Sequence, residues 1–142
     1  MLRNTLAGLV LFFLILVSVA YGSDTVQKKD ALIAAENWLA MIDTGEYAKG
    51  WREAAAYFKS EVTEETWVQY MEAIRKPLGK LISRKVMSLT PKTTLPYTPR
   101  GNYVVIQFET SFANGKSGVE TVTPQLEKDG KWRVAGYHIK WQ

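Results

Sequence analysis

The sequence predicts an α+β domain in which helices precede a curved antiparallel sheet. Apolar residues recur at helical spacing in the first half of the chain, whereas the second half is rich in β-branched and aromatic residues. The dipeptides Asn114-Gly115 and Asp129-Gly130 each separate two such runs. Because both dipeptides suit the positive φ angles of a tight hairpin turn, the last three strands are predicted to form an antiparallel meander.

Three helices are predicted from the apolar spacing. Their buried faces would be, in order, Leu32, Ala35, Leu39 and Ile42; Tyr47, Trp51, Ala54, Ala55 and Phe58; and Trp67, Met71 and Ile74. Asp24 or Thr25 is placed to cap the first helix and Gly45 to end it. Thr63 is placed to cap the third helix, and Pro77 to end it.

Four strands are predicted in the second half. They cover residues 81–89, 103–112, 119–126 and 132–141, and a proline-containing loop covers residues 91–101. In the last strand Trp132 and Val134 share one parity, but Tyr137 and the apolar residues after it share the other. A β-bulge near Ala135-Gly136 would bring both sets to one face of the sheet.

The first residues predict export. Arg3 supplies a short positive region, Thr5–Ala20 is almost continuously apolar, and small residues allow cleavage before Tyr21 or Ser23. A signal peptide over residues 1–22 is therefore predicted, with a domain over 23–142 in the periplasm or secreted. The alternative is a retained anchor, although the apolar run is shorter than the roughly 20 residues that a bilayer requires.

The composition restricts the chemistry. The chain has no cysteine and one histidine, His138, so thiolate chemistry, disulfides and most zinc sites are excluded, and neither a metal nor a cofactor is expected. A carboxylate beside a tyrosine in an apolar cavity can move a proton, and Asp43 with Tyr47, or Glu109 with Tyr103, could form such a pair. Nothing in the sequence distinguishes either pair, so an enzyme remains the less favoured class.

Five stretches of the chain resemble the bacterial domain-of-unknown-function family 4019. They are Trp38–Asp43, Ile74–Gly79, Tyr103–Phe108, Glu120–Pro124 and Asp129–Tyr137. The resemblance implies an exported single domain with a cone shaped like nuclear transport factor 2, and it implies no activity. The residues predicted to line a cavity in such a cone are Trp38, Tyr103, Gln107 and Tyr137.

Four of the five tryptophans are predicted to be buried, and the fifth, Trp141, to be exposed near the chain end. The buried ones would be Trp38, Trp51, Trp67 and Trp132.

The charge distribution is uneven. From Ala73 to Phe108 the chain has no acidic residue, whereas the preceding helices are acidic. The candidate anion-facing patch consists of Arg75, Lys76, Lys80, Arg84 and Lys85. Its expected partners are anionic lipid, a cell-wall polymer or an acidic protein; nucleic acid is not expected, because the compartment is wrong and the net charge is only +4.

The sequence thus favours an exported binding or interaction domain. Two alternatives remain open: a small acid/base enzyme or ligand carrier that uses the cone cavity, and a structural homodimer partner that pairs through the open sheet face. A large polar cavity would favour the enzyme or carrier, and a filled interior would favour the other two.

Overall fold

The computed structural model describes the backbone of residues 11–142 and the side chains of residues 23–142. In chain order the elements are α1 (Leu11–Asp43), α2 (Tyr47–Arg52), α3 (Ala56–Glu61), α4 (Glu64–Ile74), a 3₁₀ turn (Lys76–Leu78), β1 (Leu81–Lys92), β2 (Tyr103–Phe112), β3 (Ser117–Leu126) and β4 (Trp132–Trp141). The strands form one antiparallel sheet in the order β1-β2-β3-β4, which confirms the predicted α+β class and meander.

The predicted signal peptide, residues 1–22, lies outside the side chains that the structure describes. Within the described part of the chain, no helix has the length and apolar character needed to cross a membrane.

Helix α1 differs from the prediction at its start and agrees at its end. It begins at Leu11, so Asp24 lies inside the helix, where it forms an ion pair with Lys28 (3.1 Å) instead of a cap. At the other end, Gly45 has φ +82° and donates to the Ile42 carbonyl (3.1 Å), while the next amide reaches the Met41 carbonyl. These two bonds form a Schellman motif, for which glycine is the preferred residue.

The second predicted helix is in fact two short helices, α2 and α3. Ala55 is extended between them, and its amide donates to the Val134 carbonyl on β4 (2.8 Å). A continuous helix would direct this amide to its own preceding turn, so the bond to the sheet interrupts the helix. The indole of Trp51 then donates to the Val62 carbonyl (2.8 Å) and ties α2 to the end of α3.

Helix α4 begins as predicted. Thr63 accepts a hydrogen bond from the Thr66 amide (3.2 Å), and Glu64 and Glu65 occupy the first turn, where the helix dipole favours negative charge. After α4 the chain passes through the 3₁₀ turn to Gly79, which has φ +76°.

The sheet confirms both hairpin turns and the bulge. Gly115 and Gly130 have φ angles of +76° and +80°, as tight turns between antiparallel strands require. On β4 the register skips Ala135, which is the extra residue of the bulge. Strand β1 runs to Lys92, three residues beyond its predicted end, because Pro91 still lies beside Val104 in the edge strand.

The helices pack on one face of the sheet around an aromatic cluster of Trp38, Phe58, Trp67 and Tyr137. The ring of Trp38 lies 5.8 Å from Trp67 and 5.4 Å from Tyr137, and that of Phe58 lies 5.0 Å from Trp67. Trp38 and Trp67 are buried as predicted, and Trp141 is exposed. Trp51 and Trp132 are half-buried at the edge of the core, so their predicted burial is only partial.

Candidate functional site: a buried ionic cluster and an exposed lysine surface

Charged and polar side chains from α1, the end of α4 and all four strands meet beside the aromatic cluster. This ionic cluster consists of Asp43, Arg75, Arg84, Thr110, Glu120 and Tyr137. Thr110 and Glu120 are completely buried, and the two arginine side chains are about nine-tenths buried.

Asp43 receives both arginines. Two nitrogens of Arg84 donate to its two carboxylate oxygens (2.7 and 3.0 Å), and Arg75 donates to one of them (3.2 Å). Arg75 also donates to the Gly79 carbonyl (2.7 Å), and its guanidinium lies 4.4 Å from the centre of the Phe112 ring. This cation–π contact accompanies a buried Nε atom that has no hydrogen-bond partner among the described residues.

Glu120 is the second acceptor of the cluster. It receives hydrogen bonds from Arg84 Nε (2.8 Å), the Thr110 hydroxyl (2.6 Å) and the Tyr137 hydroxyl (2.6 Å). A completely buried carboxylate is tolerated only with such compensation. Three donors from β1, β2 and β4 therefore converge on one side chain of β3.

The charges and burial of the cluster keep Arg84 and Tyr137 protonated. Burial lowers the pKa of Arg84, but hydrogen bonds and charge from Asp43 and Glu120 outweigh burial and place the pKa above its ordinary value. Burial, then the charge and hydrogen bond of Glu120, raise the pKa of Tyr137 well above its ordinary value. Two guanidinium groups balance two carboxylates, and the phenol keeps its proton. The arrangement is therefore suited to holding elements together and not to proton transfer at neutral pH.

The ionic cluster overturns part of the predicted anion-facing patch. Arg75 and Arg84 are buried and form ion pairs with Asp43 and Glu120 in the interior, so they are not available to an external anion. Strand alternation directs Arg84 inward and Lys85 outward, as the opposite parity of neighbouring residues requires.

Lysines remain on the surface around the start of β1. Lys76, Lys80 and Lys85 from the predicted patch are exposed, and the structure adds Lys116 from the turn between β2 and β3. That turn docks on the start of β1 through a bond from the Ala113 amide to the Lys80 carbonyl (2.8 Å). We call Lys76, Lys80, Lys85 and Lys116 the lysine surface. Sequence reasoning missed Lys116, although the Asn-Gly turn beside it was the available signal.

Only one lysine of this surface has an ion pair within the described residues. Lys76 lies 3.0 Å from Glu72, whose hydrogen bond and charge raise the lysine pKa. Lys85 faces Glu109 in the strand register without forming an ion pair. The other charges are therefore available to a partner.

The residues predicted to line a cavity do not lie around a single one, because Trp38 lines a groove beside α1 and Tyr103 lines a different groove. Trp38 and Tyr137 are in contact inside the filled aromatic cluster, and the Trp38 indole donates to the Gly50 carbonyl (2.8 Å). Tyr103 is buried in a separate small cluster with Ala55 and Ala135. Gln107 is exposed, because it has the parity of the outer sheet face.

Three grooves formed by the described residues lie outside the core. A groove of about 670 Å³ runs between α1 and the turn joining β3 to β4, with half-buried Trp132 in its wall. A second groove, of about 390 Å³, lies between the first described side chains of α1 and the end of β1. A third, of about 560 Å³, lies between the loop before β2 and the β3–β4 turn.

Neither predicted acid/base pair is assembled for catalysis. Asp43 bonds to two arginines, and Glu109 is exposed on the outer face of the sheet while Tyr103 donates to the Pro99 carbonyl (2.6 Å). Among the described residues, no group of three histidine or acidic side chains could hold a metal ion.

Comparison with known proteins gives a family and no activity. No curated protein and no solved structure matches the chain. The family model described as protein of unknown function (DUF4019) matches residues 34–137, which span α1 from its middle to the bulged strand β4. With most of its length matched, this chain belongs to the DUF4019 family.

Proposed function

We propose that this protein is an exported, non-catalytic domain of the bacterial cell envelope whose lysine surface binds an array of anionic groups. The observation that carries the proposal is the division of the basic residues. The structure takes Arg75 and Arg84 into the interior and leaves Lys80, Lys85 and Lys116 exposed without ion pairs to other described residues.

The filled interior supports a role without catalysis. The space between helices and sheet holds the aromatic cluster and the ionic cluster, and both carboxylates of the latter are neutralised by arginine. A general acid or base needs access to a substrate and a pKa near the working pH. The raised pKa of Tyr137 and its bond to Glu120 provide neither.

The type of cation indicates the type of partner. Lysine is a compact, flexible point charge, whereas arginine forms the planar fork that reads a single phosphate or carboxylate. Exposed lysines spread over the start of β1 and an adjacent turn therefore suit many anionic groups on an extended polymer or surface. Phosphate-bearing and carboxylate-bearing cell-wall polymers and anionic lipid headgroups share this chemistry.

The outer face of the sheet gives little support to the homodimer alternative. Its exposed positions include Gln107, Glu109, His138 and Lys140, and the exposed apolar side chains Ile82, Val86 and Met87 are confined to the edge strand β1. Stable homodimer interfaces are more apolar than the rest of a protein surface.

Export is tested first, by the intact mass of the protein recovered from the envelope fraction. We expect a mature start at Tyr21 or Ser23. Retention of Met1–Ala20 in the membrane fraction would contradict cleavage and favour the anchor.

Anion binding is tested by co-sedimentation with purified cell-wall sacculi and with vesicles that contain phosphatidylglycerol. We expect binding to weaken steeply as added salt shortens the Debye length from about 30 to 8 Å. The double variant Lys80→Glu/Lys116→Glu should lose binding to sacculi, whereas the matched control Lys49→Glu/Lys131→Glu, with the same charge change, should keep it. Equal loss in both variants, or no binding at low salt, would leave the lysines as a solvated surface.

A further inference from the structure

The loop between β1 and β2 displays a tyrosine in an unfavourable conformation. We call residues 93–102 the proline loop; it contains Pro96 and Pro99 and no acidic residue. Tyr97 has φ +60° and is the only non-glycine residue with positive φ among those described. Its side chain is fully exposed, with a relative accessibility of 101%.

The local turn explains the backbone of Tyr97 but not its side chain. The Thr98 amide and hydroxyl both bond to the Leu95 carbonyl (3.3 and 2.9 Å), so residues 95–98 form a turn with proline at its second position. Positive φ at the third position normally selects glycine or asparagine, because a larger side chain is strained there. Since Tyr97 buries nothing, folding gives no reason for a large aromatic residue at this site.

The loop is held firmly enough to maintain this strain. The Tyr57 hydroxyl donates to the Tyr97 carbonyl (2.9 Å), and the Tyr103 hydroxyl donates to the Pro99 carbonyl (2.6 Å). The Gly101 amide closes the base of the loop on the Thr93 carbonyl (3.1 Å). Tyr97 is thus presented on a fixed platform.

The charged residues that flank Tyr97 in sequence are both cations, and one of them lies close to the first described side chains of α1. Lys92 and Arg100 are exposed on either side of it, without an acidic residue in the loop. The groove of about 390 Å³ is lined by both Lys92 and the Asp24–Lys28 part of α1. The first described side chains of α1 therefore lie close to the base of the proline loop.

We propose that the proline loop seats the domain on an anionic bilayer surface, with Tyr97 among the headgroups and Lys92 and Arg100 near the phosphates. Tyrosine is favoured at the membrane–water interface, because it combines an apolar ring with a polar tip. Lysine and arginine near an anionic leaflet are each attracted by its surface potential. A fully exposed tyrosine between two exposed cations fits a flat anionic lipid surface, which offers headgroups and phosphates together, better than a separate acidic protein.

This inference rests on the export part of the proposed function but uses the other end of the molecule. Strand β1, about 40 Å long, leads from the lysine surface at its start to the proline loop at its end, with Lys85 as the lysine of that surface nearest the loop. The domain would then rest on the membrane at one end and present its lysines to an anionic polymer at the other.

A single label tests the contact, because the chain has no cysteine. The full chain, as the cell processes it, carries Tyr97→Cys with an environment-sensitive fluorophore, and Ala73→Cys, exposed on α4, is the matched control. With vesicles containing phosphatidylglycerol we expect a blue shift at position 97 and quenching by lipid-attached nitroxide, and neither at position 73. A label at 97 that stays in water while the protein is vesicle-bound would overturn the proposal.

Two variants separate this contact from structure and from the lysine surface. Tyr97→Gly removes the strain of a side chain at positive φ, so the melting temperature of the variant should not fall. Its binding to vesicles should weaken several-fold, and its binding to sacculi should persist. Lys92→Glu and Arg100→Glu should each weaken vesicle binding by at least about fivefold. A marked loss of stability in Tyr97→Gly would make Tyr97 a structural residue. Loss of the label shift in Lys80→Glu/Lys116→Glu would assign lipid binding to the other end.

Discussion

The molecule contains two ionic clusters that look alike in distances and differ in surroundings. In the buried one, Arg84 lies 2.7 Å from Asp43 and 2.8 Å from Glu120. At the β3–β4 turn, Arg133 lies 2.8 Å from both Glu127 and Asp129. Glu120 is completely buried, whereas half of the Asp129 side chain is exposed. Water can replace a lost partner at the turn but cannot reach the interior. Losing a partner should therefore cost more free energy of unfolding in the buried cluster than at the turn, although the distances are similar.

The largest difference is expected from removing one carboxylate of each cluster. Glu120→Ala leaves Arg84 and two hydroxyl donors short of an acceptor, and breaking a buried pair in this way costs about 3–5 kcal/mol. Asp129→Ala, the control, should unfold at nearly the wild-type denaturant concentration. Equal effects of the two changes on the free energy of unfolding would show that burial does not govern these clusters.

A double replacement sharpens the point about the buried pair. Arg84→Met combined with Glu120→Leu removes both charges, so neither is left unpaired in the interior. We expect the double variant to be less destabilised than the sum of the single variants, with a coupling energy of about 1–3 kcal/mol. Strict additivity in the double-mutant cycle would contradict a direct interaction.

A smaller effect is expected at the edge of the buried cluster. Tyr137→Phe keeps the ring in the aromatic cluster and removes one donor to Glu120, which should cost about 1.5–3 kcal/mol.

Tyr137 should also affect how the stability of the protein changes at alkaline pH. Because the pKa of Tyr137 is raised in the folded state, the unfolded chain loses this proton first, and stability should fall as the pH rises above about 10. Tyr137→Phe should show a shallower loss. The remaining slope should come from Tyr47 and Tyr57, whose pKa values are raised chiefly by burial, and from Lys76, whose pKa is raised by its hydrogen bond to Glu72. Identical alkaline slopes of wild type and variant would contradict the folded-state shift.

The smallest effect belongs to the exposed cluster and appears only in acid. Hydrogen bonds from Arg133 and the Lys131 amide lower the pKa of Asp129 to about 2. Its contribution to stability is therefore complete above the ordinary value near 4 and is lost as the pH falls toward 2. Asp129→Asn should match wild type in thermal denaturation at pH 2 and differ slightly at neutral pH. A difference in melting temperature between Asp129→Asn and wild type that grows as the pH falls would contradict the lowered pKa of Asp129.

Local rules predicted most of the fold. The Gly45 helix end, the Thr63 cap, both hairpin turns and the Ala135 bulge each depend on a few neighbouring residues, which a single sequence displays. The split between α2 and α3 depends instead on an Ala55 amide that bonds to a strand near the other end of the chain.

The predicted site was less accurate for the same reason. Arg84 belongs to a basic stretch, and its counter-charges Asp43 and Glu120 lie 41 and 36 residues away in sequence. Charge along the chain therefore indicated a surface, while the three-dimensional pairing placed part of it inside. Tyr97 gave no pattern at all, because its significance is a backbone angle combined with exposure.

The packing of α1 on the last two strands also has a consequence for the order of folding. The helix supplies Trp38, which contacts Tyr137 on β4, and Asp43, which shares Arg84 with Glu120 on β3. Both junctions therefore need strands that follow the helix by about 80 residues or more. Hairpins can form early because their contacts are local, whereas the closure of this long-range junction must wait for the final strand. A nascent chain lacking β4 would keep Trp38 and Trp67 without the ring of Tyr137, and the domain would stay unfolded until β4 has been made.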